Sequence, residues 1–95
     1  MGSMYFSLKN NRNAKKHIEK IKELIKYTVA EMEVCYYENF SSIRIDNMGL
    51  NFSHIMSFIQ RDYTDKLCLK IYNDKDRDNE VSIPLKDIDT IYTLG

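Results

Sequence analysis

A chain of 95 residues, 43% of them hydrophobic, suffices for one domain with one core, near the lower size at which a core holds without disulfides or metal. Fourteen basic residues balance fourteen acidic ones, which excludes the strong uniform field of a polycationic nucleic-acid binder. No apolar run approaches the roughly 18 residues of a membrane span, so a membrane partner is not expected.

Met1-Gly2-Ser3-Met4 reads as a short expression remnant ahead of a native Met4, leaving residues 4–95 as a single small α+β domain. No apolar signal-peptide core follows, and the expected compartment is the cytoplasm. Tyr5-Phe6-Ser7-Leu8 fits a short edge strand or an arm laid on the body. Asn10 to Asn13 is polar and turn-prone, and Asn13 is placed to cap a helix. From there Ile18, Ile21, Ile25, Thr28, Met32 and Cys35 recur at alternating spacings of three and four, with Leu24 and Val29 widening the stripe. This pattern predicts one long amphipathic helix from Asn13 into the mid-thirties. Its end is open, because Val34-Cys35-Tyr36-Tyr37 is β-branched and aromatic and favours strand.

Short alternations follow. Ile43 and Ile45 alternate with Arg44 and Asp46, a half-buried strand, and Asp46-Asn47-Met48-Gly49 is the clearest turn, with Gly49 free to take positive φ. Leu50, Phe52, Met56 and Phe58 predict one face of a strand; the same segment also satisfies a short helix capped by Ser53, and strand is preferred because a tight turn joins antiparallel neighbours well. Leu67, Leu69 and Ile71 alternate cleanly, Asn73 to Asn79 reads as a polar loop, and Val81, Ile83 and Leu85 alternate again until Pro84 marks an edge or exit. A tight turn at Lys86-Asp87-Ile88 leads to a last strand, Thr90 to Leu94. The tail from Val81 to Ile91 resembles the strand–turn–strand ending of small Sm-like, SH3-like and PH-like barrels, a generic likeness that assigns no family. The expected fold is therefore α+β: one long N-terminal amphipathic helix on a bent four- to five-stranded antiparallel sheet or small open barrel, with a meander as the simplest topology.

Standard catalytic constellations are missing from the sequence. Three glycines cannot build a phosphate-cradling loop, and no nucleophile-elbow serine or kinase-type set occurs. Asp74, Asp76 and Asp78 imitate the start of a calcium loop, but Leu85 occupies the twelfth position, where a bidentate Glu belongs, so the stretch reads as a solvated hairpin tip. His17 and His54 stand apart from any metal-ligand spacing and read as a surface residue and a core-edge residue. Cys35 and Cys68 read as reduced, buried thiols. No catalytic residue, metal or cofactor is expected.

The zero net charge hides a polarity. Between residues 9 and 26, seven basic side chains face two acidic ones; between 74 and 89, six acidic face three basic. The candidate binding residues are accordingly a basic helix face (Lys15, Lys16, Lys20, Lys22, Lys26), an acidic loop (Asp74, Asp76, Asp78, Glu80), and aromatics (Tyr36, Tyr37, Tyr63, Tyr72) drawn from seven tyrosines. Tyrosine offers large contact area at low entropy cost. These features predict a small non-enzymatic protein-binding module that meets a larger partner through a charged, tyrosine-rich surface. The Lys-, Ile- and Asn-rich usage fits a low-GC bacterium, and with it an inhibitor or immunity-type protein of a phage or mobile element. The alternative is a nucleic-acid-binding accessory protein using the lysine face. Homodimerisation through an open sheet edge is a further expectation.

Overall fold

The computed structural model describes residues 2–94. Its strands are β1 (Gly2–Lys9), β2 (Glu31–Tyr36), β3 (Phe40–Met48), β4 (Ile55–Arg61), β5 (Leu67–Asn73), β6 (Asp76–Pro84) and β7 (Ile88–Thr93); its one α-helix is α1 (Ala14–Ile25), and a single 3-10 turn, Leu85–Asp87, joins β6 to β7. Two antiparallel sheets result, one ordered β2-β3-β1-β7 and the other β4-β5-β6. The expected architecture, a long N-terminal helix on a single sheet, is thereby overturned: the molecule is mostly β, and its short helix lies between the first two strands.

Side-chain hydrogen bonds close the helix after Ile25. Thr28 Oγ1 donates to the Ile25 carbonyl at 2.8 Å and accepts from the Ala30 N–H at 3.1 Å, so the side chain competes with the next helical turn. Asn47 Nδ2 then holds the Val29 carbonyl at 3.2 Å. Beyond that point Met32 and Val34 pair with Ile45 and Ile43 on β3 and pack partly buried against the core, while Glu31, Glu33 and Cys35 face outward. Met32 satisfies both the helical spacing and this alternation, so the helical stripe runs on in the sequence past the helix's end. Cys35, expected inside, is exposed on this strand; Cys68 is buried, and both thiols are free.

β1 is central rather than an edge or an arm. It pairs β3 on one side and β7 on the other, beginning with Gly2 opposite Met48, and Met4, Phe6 and Leu8 are fully buried. The first sheet therefore contains both ends of the described chain, and only β4-β5-β6 is a meander. Helix α1 packs against β6 and β5, burying Ala14, His17, Ile18, Ile21, Leu24 and Ile25. Its apolar members make one continuous core with Ile43, Ile45, Ile55, Leu69, Ile71, Val81, Ile83 and Ile88.

Between β3 and β4 the Gly49 carbonyl accepts from the N–H groups of Phe52, Ser53 and His54, and Gly49 sits at φ +99. Leu50 and Phe52, expected on a strand, are exposed in this turn; the strand begins only at Ile55. A Cβ built on Gly49 meets nothing within 4 Å, so Gly49→Ala tests backbone strain alone. It is expected to destabilise by about 1 kcal/mol, read as a lower urea midpoint with an unchanged m-value.

Candidate functional site

The charged residues singled out from the sequence lie on two elements, the lysines along α1 and its C-cap and most of the acidic residues on β6. On α1, helical spacing sets Glu19 and Glu23 along the exposed crest, with Lys15, Lys22 and Lys26 on one flank and Lys16 and Lys20 on the other. Lys22 approaches Glu19 at 3.9 Å and Lys26 approaches Glu23 at 4.0 Å. The lysine face is thus two flanks divided by carboxylates, a poor track for phosphates.

The acidic loop is a strand. Asp76, Asp78 and Glu80 belong to β6, and only Asp74 lies in the turn before it, paired with Arg77 at 3.3 Å. Glu80 is ion-paired with Lys70, whereas Asp76 and Asp78 are exposed and without an ion pair among the described residues. Tyr72 stands opposite Glu80 in the register, edge-to-face with Phe58 at 5.3 Å and covered by Arg77 at 4.5 Å. Phe58, Gln60, Lys70, Tyr72, Arg77 and Glu80 enclose a small depression of about 170 Å³ on the outer face of the second sheet. Its charges are already matched. Tyr63, 99% exposed in the β4–β5 connection, is not among the residues that line this depression.

A second region brings predicted residues together. Asn10 Nδ2 donates to the carbonyls of Tyr37 and Glu38, at 2.7 and 3.1 Å, and Asn10 Oδ1 accepts from Ser41 Oγ at 2.7 Å. These bonds fasten the β2–β3 hairpin to the end of β1. Tyr37 stacks on Phe40 at 4.8 Å, which leaves Tyr36 to stand 69% exposed. Between it and the first turns of α1 opens a groove of about 520 Å³ walled by Ala14, Lys15, Ile18, Glu19, Tyr36 and Ser41. Lys15 and Tyr36, 21 positions apart in the sequence, therefore line one cavity.

Along the same edge lie residues that sequence reasoning passed over. Glu31 and Glu33 point outward from β2, opposite Asp46 and Arg44 on β3. Arg44 is engaged with Asp46 at 3.1 Å, so both glutamates lack an ion pair among the described residues. The alternation Glu31-Met32-Glu33-Val34 carried the signal, masked by the helical stripe.

The second omission is a buried polar cluster beneath the start of α1. His17, expected at the surface, is buried, and its Nε2 lies 3.0 Å from Asp87 Oδ2 in the 3-10 turn; Asn11 Nδ2 donates to Asp87 Oδ1 at 3.2 Å. Burial pushes the Asp87 carboxyl up, but the hydrogen bonds from His17 and Asn11 pull it down further and leave it below the ordinary carboxylate value of 3.8. An ionised carboxylate requires the facing ring nitrogen to be the donor, so Nε2 carries the proton. His17 Nδ1 has no partner among the described residues. The first turn of α1 holds no acidic residue; Asp87 supplies from across the fold the negative charge that end of the helix dipole favours.

No family model, curated protein or solved structure matches this chain. Among the described residues no helix is long and apolar enough to cross a membrane, and no group of three or more His, Cys, Asp or Glu side chains is placed to hold a metal ion.

Proposed function

We propose that this chain is a small non-enzymatic protein-binding module, of the cytoplasmic inhibitor or immunity type carried by a phage or mobile element, which blocks a larger partner. The observation that carries the reading is the position of Tyr36: 69% exposed, at the end of a regularly paired edge strand, beside a helix-walled groove. Exposed aromatic anchors next to a concavity are where interface energy concentrates. The Lys-, Ile- and Asn-rich residue usage, which fits a low-GC genome, supports the phage or mobile-element assignment. Nucleic acid is the weaker partner class, since Glu19 and Glu23 interrupt the lysine face.

Affinity capture from a low-GC bacterial lysate, with and without nuclease, tests this function. A stoichiometric protein retained under both conditions by the wild type, and at least tenfold less by Tyr36→Asp, is expected from the loss of a central aromatic contact. Retention that vanishes with nuclease places recognition on nucleic acid and overturns the reading.

A further inference from the structure

A sheet edge presents unpaired N–H and C=O groups to any strand that can reach it. Among the described residues four strands have an unpaired side: β2 and β7 in one sheet, β4 and β6 in the other. β7 is interrupted by two register shifts against β1, and β6 carries a shift against β5 and packs on α1. Such irregularities blunt an edge. β2 and β4 pair without interruption, and of these two β2 adjoins the groove at Tyr36.

The side chains of β2 state what would fit there. On its outward face Glu31 and Glu33, with Asp46 beside them, confront one cation, Arg44, which Asp46 already holds. On its inward face Met32 and Val34 are only partly covered, and Tyr36 leads into a groove whose floor includes Ala14 and Ile18. An antiparallel strand places each residue opposite its partner on the same face. Resting on the protein-binding reading above, we propose that β2 is the docking edge for an extended segment of a partner protein. The segment adds antiparallel to the sheet, with Lys or Arg opposite Glu33 and Glu31 and apolar side chains at the alternate positions opposite Met32, Val34 and Tyr36. The main-chain ladder supplies affinity and the two alternating faces supply selectivity, the mode of strand-addition peptide recognition.

A second copy of this chain fits the edge poorly. Two β2 strands related by a twofold axis would set Glu33 against its own counterpart or against Cys35, and would gather the glutamates of both copies on one face. Like charges in cross-strand proximity are destabilising. This acidic decoration is also how natural edges discourage self-pairing.

The test uses the full chain and three labelled octapeptides: one alternating valine with lysine, one alternating valine with glutamate, and the lysine peptide with N-methyl groups on the amides facing the edge. Fluorescence anisotropy is expected to show the lysine peptide binding roughly tenfold tighter than the glutamate peptide, with this order reversed for the Glu31→Lys/Glu33→Lys variant. N-methylation is expected to abolish binding, and amide chemical-shift changes are expected along β2 and the first turns of α1. Both substituted side chains are exposed, so the variant is expected to keep the wild-type Tm. Equal affinity for the two charged peptides, indifference to N-methylation, or a sedimenting dimer with shift changes on β2 would overturn the assignment. So would a captured protein partner whose affinity is unchanged by Glu31→Lys/Glu33→Lys, although that result would leave the protein-binding function standing.

Discussion

Phe6→Ala is expected to lower the free energy of unfolding by about 3–5 kcal/mol, the range for truncating a buried aromatic side chain that neighbours cannot replace. Phe6 is fully buried in β1, opposite Ile43 on one side and Ile91 on the other. It therefore ties the middle of the first sheet to both flanking strands, and the surrounding core has little freedom to collapse into the gap. A domain of this size has roughly 5–15 kcal/mol in total, so the variant should lose most of its folded population well below the wild-type Tm. Circular dichroism melts and urea titrations measure this directly. Tyr5→Ala makes the internal control, because its ring lies on the outer face, stacked 4.5 Å from Tyr92 and 39% exposed. Its expected loss is about 1 kcal/mol. Equal losses for the two variants would mean that β1 is not the central strand.

Asp87→Ala is expected to destabilise by roughly 3 kcal/mol, since it strips the acceptor from His17 Nε2 and from Asn11 and leaves buried donors unmatched. Asp87→Asn keeps the shape and one acceptor oxygen and should lose about half as much, because the hydrogen bond from His17 is no longer made to an ion. The pH dependence has a defined sign. The Asp87 carboxyl is more acidic in the folded protein than its ordinary value of 3.8. Its contribution is therefore fully present above that value and disappears as pH falls through the lower folded value. The wild type should lose this increment of stability in acid, and the Asp87→Asn variant should show a correspondingly flatter acid limb in denaturant titrations between about pH 5 and pH 2. Parallel acid limbs for the two proteins would show that Asp87 does not hold a proton more weakly when folded.

The buried polar cluster and the proposed recognition edge occupy different parts of this molecule. The His17–Asp87 cluster is enclosed beneath α1 and secures the 3-10 turn that carries the chain from the second sheet back to the first. The β2 edge has no such enclosure: its glutamates, Cys35 and Tyr36 are exposed. Substitutions in the cluster should change folding without altering surface chemistry, whereas substitutions at Glu31, Glu33 or Tyr36 should change association and leave Tm nearly constant. That separation lets the binding experiments be interpreted without a folding artefact.

Several elements were readable from neighbouring residues alone. The strand through Ile43 and Ile45, the strand through Leu69 and Ile71, the positive φ of Gly49 and the turn around Lys86 and Asp87 each depend on short-range alternation or backbone preference. The buried face of α1 was equally clear from Ile18, Ile21, Leu24 and Ile25. Where that helix ends was not, because Met32 fits a 3.6-residue period and a two-residue period alike. The choice fell to long-range pairing, which sets Met32 and Val34 opposite Ile45 and Ile43. For the same reason β1 could not be distinguished from an arm: alternation in one segment shows which side chains turn inward, not how many strands will flank it. The candidate site followed the same division. Tyr36 and Lys15 stood out by residue type, but their common groove, the exposed edge holding Glu31 and Glu33, and the meeting of His17 with Asp87 across 70 positions arise from chain crossings that no local period encodes.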